Sequence, residues 1–234
     1  MRGNGVGEYL VFSSLIYTMK KILGFLSIVL FLAQPALAQK KFSEGTISYD
    51  IVINTGTDKP QSADFLDGAT SAVYIKGPKT RTEMVSPLGT QSTIFDGKSS
   101  IVILKEYGEQ RYMINLKPED WKDANRKYEQ VAFTFDKEAT KTILGYACSK
   151  AVGKLPDGTT FTVWYTTDLI PENKEFQYAN RDLPGLALEY ETSMGNMKVT
   201  YTVSKISFSP VPAAKFDIPK SGYRVITYAD SKRN

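Results

Sequence analysis

The chain has no histidine and one cysteine, Cys148. Without imidazole there is no Ser-His-Asp or Cys-His catalysis, no His-ligated zinc and no His proton shuttle. A lone cysteine excludes an internal disulfide framework and any Cys-x-x-Cys motif. Cys148 lies in the segment Gly145-Tyr146-Ala147-Cys148. A nucleophilic thiol needs a base or cation beside it, so Cys148 reads as a small buried apolar residue. Glu189 and Glu191 stand two apart on a strand and so share a face. Such a pair can do acid/base work, but on a half-solvated strand it reads as a wet face. Gly-x-Ser-x-Gly, Ser-x-x-Lys, P-loop, Gly-x-Gly-x-x-Gly and EF-hand patterns are missing. The sequence therefore predicts no enzyme, no catalytic residue, no cofactor and no metal site.

The aromatic residues say more. Tyr49, Tyr74, Phe95, Tyr112, Phe133, Phe161, Trp164, Tyr190 and Tyr201 are spread over most of the predicted strands. In a closed sandwich they would be core; in a half-barrel too wide to fill they would line an apolar cavity. On the second alternative, strand phase selects Tyr49, Tyr74, Phe95, Tyr112, Trp164, Leu186, Tyr190 and Tyr201 as cavity residues. Lys76, Lys79 and Arg81 would then meet an anionic head group at the rim, or else be solvated surface charge.

The elements that would position these residues are mostly strands. Thr46–Ile53 alternates, with Ile47, Tyr49, Ile51 and Ile53 on one face. Gly77-Pro78, Asp96-Gly97, Pro156-Asp157-Gly158 and Gly195-Asn196 mark turns between further strand pairs. In Met197–Phe208 the apolar phase shifts after Val203, predicting a bulge near Ser204-Lys205. Tyr223–Tyr228 closes the set. Lys117–Tyr128 predicts a helix with Pro118 in its first turn and acids beside it, and Asp136–Leu144 a second short one. The expected fold is mainly β: a single curved antiparallel sheet of about ten or eleven strands forming a half-open barrel. One or two short helices cover its concave face.

Met19-Lys20-Lys21, the apolar run Ile22–Leu32 and Ala36-Leu37-Ala38 form a secretory signal peptide, with cleavage expected after Ala38. Residues 1–18 fit no such leader and read as an over-extended reading frame. Removing 38 of 234 residues leaves 196, expected to form one β-rich domain over 39–234. The removed part carries Arg2, Glu8, Lys20 and Lys21, so the net charge falls from +4 to +2. No basic run remains beyond Lys232-Arg233, so nucleic acid is not an expected partner. The cleavage site itself carries no cysteine and no transmembrane segment is predicted in the mature chain. The expected location is the periplasm or the exterior, in soluble form.

Tyr74–Pro87, followed by Ile94-Phe95-Asp96-Gly97-Lys98-Ser99, is similar to the hairpins of periplasmic lipoprotein carriers (LolA-like proteins). Thr142–Ala151, Phe161–Thr166 and Asp182-Leu183-Pro184-Gly185-Leu186-Ala187 resemble the exported bacterial GLPGLI family and a neighbouring family of unassigned function. Phe216–Tyr223 is similar to the closing segment of the latter. The resemblance rests on Leu183, Pro184, Gly185 and Leu186 for its name-giving motif. It implies an incomplete antiparallel barrel in the bacterial envelope and assigns no activity.

The leading functional expectation is a non-enzymatic envelope protein that binds a lipid, acylated peptide or other apolar ligand in its concavity. The alternatives are an envelope adaptor with a filled core and a protein partner, and a histidine-independent hydrolase.

Overall fold

The computed structural model describes residues 40–54, 68–194 and 197–233. The predicted leader, the stretch 1–18 and the Gly195-Asn196 turn lie outside the described residues.

The strands are β1 (Lys40–Phe42), β2 (Glu44–Asn54), β3 (Thr70–Lys76), β4 (Lys79–Ser86), β5 (Gly89–Phe95), β6 (Ile101–Tyr107) and β7 (Gln110–Leu116). Helix α1 (Pro118–Ala124) follows. Then come β8 (Ala132–Ile143), β9 (Tyr146–Lys154), β10 (Thr160–Thr166), β11 (Leu169–Pro171), β12 (Leu186–Met194), β13 (Met197–Ser207), β14 (Arg224–Ile226) and helix α2 (Tyr228–Ser231). Twelve strands make one sheet in the order β14-β7-β6-β5-β4-β3-β2-β13-β12-β10-β9-β8. The end strands β14 and β8 do not pair with each other, so the sheet is curved but unclosed. The expected half-open barrel is thus present, with one or two strands more than the sequence indicated. β1 pairs in parallel with β11 as a separate two-stranded sheet.

Alternation explains the central strands. In β3, Ser71, Val73 and Ile75 are buried while the residues between them are half-buried. Ile47, Tyr49, Val73, Ile75, Leu188 and Val203 join one core cluster. On the other face of β5 and β6, Ile94, Val102 and Leu104 form a second cluster under Met113 and Tyr223. The bulge expected near Ser204 is there, as a register shift between Val203 and Lys205 against β2.

Two expectations need correction. The helix expected at Asp136–Leu144 is part of strand β8. The Asp136 carboxylate accepts the N–H groups of Glu138 and Ala139, both at 3.1 Å. This local turn shifts the register between Asp136 and Thr140 and scrambles the period of two that the sequence reading relied on. The second correction concerns the closing strand: β14 runs parallel to β7, so the sheet is not wholly antiparallel. Helix α1 forms where expected. Pro118 opens it, and the Asp120 side chain accepts the Lys117 N–H at 3.1 Å.

Candidate functional site

A cavity of about 310 Å³ lies between the sheet and a roof made of α1, residues 125–128 and the 3-10 turn Glu175–Asn180. Its lining includes Gln91 on β5 and Phe161 on β10, which are six strand steps apart in the sheet. In a flat sheet that separation would be about 29 Å, so curvature brings the two around one space.

The lining has two characters. Ser71, Thr82, Gln91 and Thr93, with Met84, come from β3, β4 and β5. Register makes this wall inevitable: Ser71 opposes Met84, which opposes Gln91, and Thr82 opposes Thr93. The other wall is aromatic. Tyr190 and Tyr201 are directly opposed on β12 and β13 and stack at 4.8 Å with planes 4° apart. Tyr49 meets Tyr190 edge-on at 5.8 Å and donates its hydroxyl to Ala187 O at 3.0 Å. Burial pushes the Tyr190 and Tyr201 pKa values upward, so both stay neutral phenols. Phe161 reaches the lining because Gly153 leaves it room: a Cβ at Gly153 would sit 2.4 Å from the Phe161 ring.

The roof is tied down by polar contacts. Trp121 Nε1 donates to Glu175 Oε2 at 2.9 Å, and its ring meets Tyr178 edge-on at 5.8 Å. Tyr178 donates to Glu129, which Arg181 and Lys122 also flank at 3.6 and 3.7 Å. The Tyr178 hydroxyl holds the Glu129 carboxyl below the usual range; burial opposes it, and the Arg181 charge adds a smaller lowering effect. Tyr128 and Thr192 share a hydrogen bond of 3.2 Å across the cavity edge. Gln177, within the 3-10 turn, donates to Gly185 O at 3.2 Å and accepts from Ala187 N at 3.4 Å.

This anchoring gives the Leu183-Pro184-Gly185-Leu186 segment a physical role. Leu183 and Leu186 are fully buried, and a Cβ at Gly185 would lie 1.9 Å from Thr166 O. Lys174 Nζ donates to Leu183 O at 2.6 Å, so this segment fastens the start and the middle of the roof turn.

The structure brings together only part of the predicted set. Tyr190 and Tyr201 border the cavity, and Tyr49 backs them from the core. Leu186 is core. Phe95 borders a smaller space of about 130 Å³ below Trp121. Tyr112 lies in a groove at the sheet edge. Tyr74 and Trp164 are on the opposite face, since each alternates with an inward-facing neighbour. Lys215 Nζ sits 4.2 Å above Tyr74, and Lys141 Nζ sits 5.4 Å from Trp164.

The expected head-group cations likewise lie on the face away from the cavity. Thr80 and Thr82 point inward, so Arg81 points outward, where it bonds Glu83 and Ser92 at 2.9 Å each and Lys215 O at 3.4 Å. Lys76 is held by Glu44 at 2.5 Å and by Val211 O at 3.0 Å. Lys79, the first residue of β4, is exposed.

Sequence reasoning missed the hydroxyl wall and the roof residues Trp121, Phe176 and Tyr178. In β4 the residues Thr80, Thr82 and Met84 alternate with Arg81, Glu83 and Val85, so neither face is plainly apolar. The residues weighed for catalysis are not assembled. Lys141 Nζ bonds both oxygens of Glu189 at 2.7 Å, whereas Glu191 accepts from Thr162 N at 3.0 Å and Lys198 Nζ at 3.2 Å. Burial works to raise the Glu191 pKa, but these two donors outweigh it and the net shift is downward. Cys148 is 2% exposed, and desolvation pushes its thiol up to about 11, away from the thiolate form.

The sequence matches no protein-family model, and no curated protein matches it; the GLPGLI family is therefore not shown. Among solved structures, an uncharacterized conserved protein from Thermus thermophilus is similar at 10% identity and a TM-score of 0.46, covering 79% of this chain and 91% of that one. A LolA superfamily protein from Nitrosomonas europaea is similar at 8% identity and a TM-score of 0.33, covering 76% and 91%. LprF from Mycobacterium bovis is similar at 13% identity and a TM-score of 0.30, covering 72% and 88%. With identities near a tenth and TM-scores below 0.5, these likenesses fix no function for this chain.

Proposed function

We propose that the protein is a non-catalytic binding protein of the bacterial envelope that takes a lipid or other amphiphile into the cavity of its curved sheet. The observation that carries this reading is the cavity itself. At about 310 Å³ it falls at the lower end of ligand-site volumes of roughly 300–1,000 Å³. Stacked tyrosines on one side offer an apolar surface, and Thr82, Thr93 and Gln91 on the other offer neutral hydrogen-bonding groups. Each methylene buried against the aromatic wall would contribute about 0.8 kcal/mol.

The predicted leader supports export, and no helix among the described residues is long and apolar enough to cross a membrane. The separation of Glu189 and Glu191 onto different lysines and the raised Cys148 thiol favour binding over catalysis.

Native mass spectrometry tests the reading. Protein purified without detergent from an exporting host should carry, or acquire from a lipid mixture, an adduct of lipid mass. Thr93→Trp, which fills the cavity, should abolish the adduct, and Tyr74→Ser on the opposite face should keep it. A bare mass unaltered by any lipid mixture would overturn the reading and favour an adaptor with a protein partner.

A further inference from the structure

The inner face of the sheet continues past the cavity into a second, unassigned groove of about 690 Å³ at the β14 edge. One row of directly opposed residues links them. Ser71, Met84 and Gln91 border the cavity; Gln91 then opposes Lys105, Lys105 opposes Tyr112, and Tyr112 opposes Arg224. Residues opposed in register share a face, and each step is about 4.8 Å, so Gln91 and Arg224 stand about 14 Å apart.

The groove is electropositive where the β3–β5 wall of the cavity is neutral. Lys105, Arg224 and Arg233 border it, with Asp230 as its one acid. Asp230 is already bound to Arg233 at 2.7 Å and accepts from the Thr227 hydroxyl at 2.6 Å. The nearest acid on β6, Glu106, is engaged by Arg111 at 3.9 Å and by the Tyr223 hydroxyl. Lys105 and Arg224 thus have no carboxylate partner among the described residues. Tyr107 and Tyr112 complete the groove with phenol groups.

We propose that this groove holds the oxyanion head of an anionic amphiphile whose apolar tail lies in the adjoining cavity, with Lys105 and Arg224 as the head-group contacts. The inference rests on the cavity-binding reading above and names its ligand class. It also replaces Lys76, Lys79 and Arg81, which the fold turns away from the cavity. An ammonium and a guanidinium on adjoining positions of one face attract a carboxylate or phosphate through charge, and the guanidinium adds paired donors.

The test is isothermal titration of the protein at low salt with dodecanoate, dodecyl phosphate and the uncharged dodecanol. Two surface cations should make at least one charged probe bind about tenfold more tightly than the alcohol. The better of the two acids identifies the head group as carboxylate or phosphate. Lys105→Gln/Arg224→Gln should reduce the preference to about twofold while leaving dodecanol affinity unchanged, and about 0.5 M salt should do the same in the unsubstituted protein. Arg224→Gln alone, at an exposed position, should remove about half of the effect on a logarithmic scale. Equal affinity for charged and uncharged probes, or a preference that survives the double substitution, would overturn this inference and leave the cavity reading standing. Failure of all three probes to bind would overturn both.

Discussion

On the outer face of β5 and β6, Ile94, Val102 and Leu104 are 1–2% exposed because the chain after β13 returns to cover them. Lys76 and Arg81 bond the carbonyls of Val211 and Lys215 in that returning segment, and Tyr223 closes over the cluster. On the inner face of the neighbouring strands, Thr82, Gln91 and Thr93 border an unfilled cavity, although a roof lies above it. The roof is fastened around its margin by polar contacts such as Trp121–Glu175 and Tyr178–Glu129, whereas the outer strap packs directly on aliphatic side chains. The same strands therefore carry a face built for stability and a face built for solvation or a ligand. Branched aliphatics mark the first, and hydroxyls with a few aromatics mark the second.

The sharpest way to break this comparison is to truncate one residue on each face. Leu104→Ala should cost about 2–5 kcal/mol in urea denaturation, because it leaves a hole under a packed strap. Thr93→Ala should cost less than about 1 kcal/mol, because its side chain already borders empty space. Comparable losses at the two positions would mean that the inner face is also core.

Smaller effects sharpen the contrast. Gly153→Val drives a side chain into Phe161 and should cost about 1–3 kcal/mol while displacing that ring into the cavity. Ligand binding should weaken with it, and unaltered binding would place the ligand elsewhere. Arg81→Met removes the outward bonds to Ser92 and Lys215 and should lower stability by about 1 kcal/mol without altering affinity for any amphiphile. A loss of affinity there would restore Arg81 to the head-group role.

The smallest effect is a pH dependence. The Glu191 carboxyl is held below the usual carboxylate range in the folded state. The unfolded chain therefore binds that proton first as pH falls. Its stabilisation is complete above about pH 4.3 and disappears as pH drops through the lower folded value. Glu191→Gln should flatten that part of the acid-unfolding curve, and an unchanged curve would show that the Thr162 and Lys198 contacts contribute nothing.

Much of this architecture was legible from local pattern. The alternation of Ile47, Tyr49, Ile51 and Ile53, the Gly77-Pro78, Asp96-Gly97 and Pro156-Asp157-Gly158 turns and the phase shift after Val203 are short-range signals, and each marks a real strand, turn or bulge. Asp136 misled because its carboxylate makes a turn within a strand, and the three extra residues between Asp136 and Thr140 resemble helical spacing. The site was less legible. Tyr190 and Tyr201 were legible because each is an aromatic residue at an alternating position of a predicted strand. Tyr74 and Trp164 were misplaced because sequence fixes alternation along a strand but not which face is concave. The Lys105–Tyr112–Arg224 row depends on a parallel pairing between β7 and β14, 112 positions apart in sequence at Tyr112 and Arg224 by register, and no local pattern encodes it.

The central claim is that a ligand enters the inner face between the hydroxyl and tyrosine walls. The most direct measurement is an isotope-filtered NMR experiment on the protein with carbon-13-labelled dodecanoate, recording nuclear Overhauser contacts from the chain methylenes. The account predicts contacts to Met84, Tyr201 and Phe161 and none to Tyr74 or Trp164. Contacts confined to Tyr74, Trp164 or the outer strap, or no intermolecular contacts at saturating ligand, would contradict it.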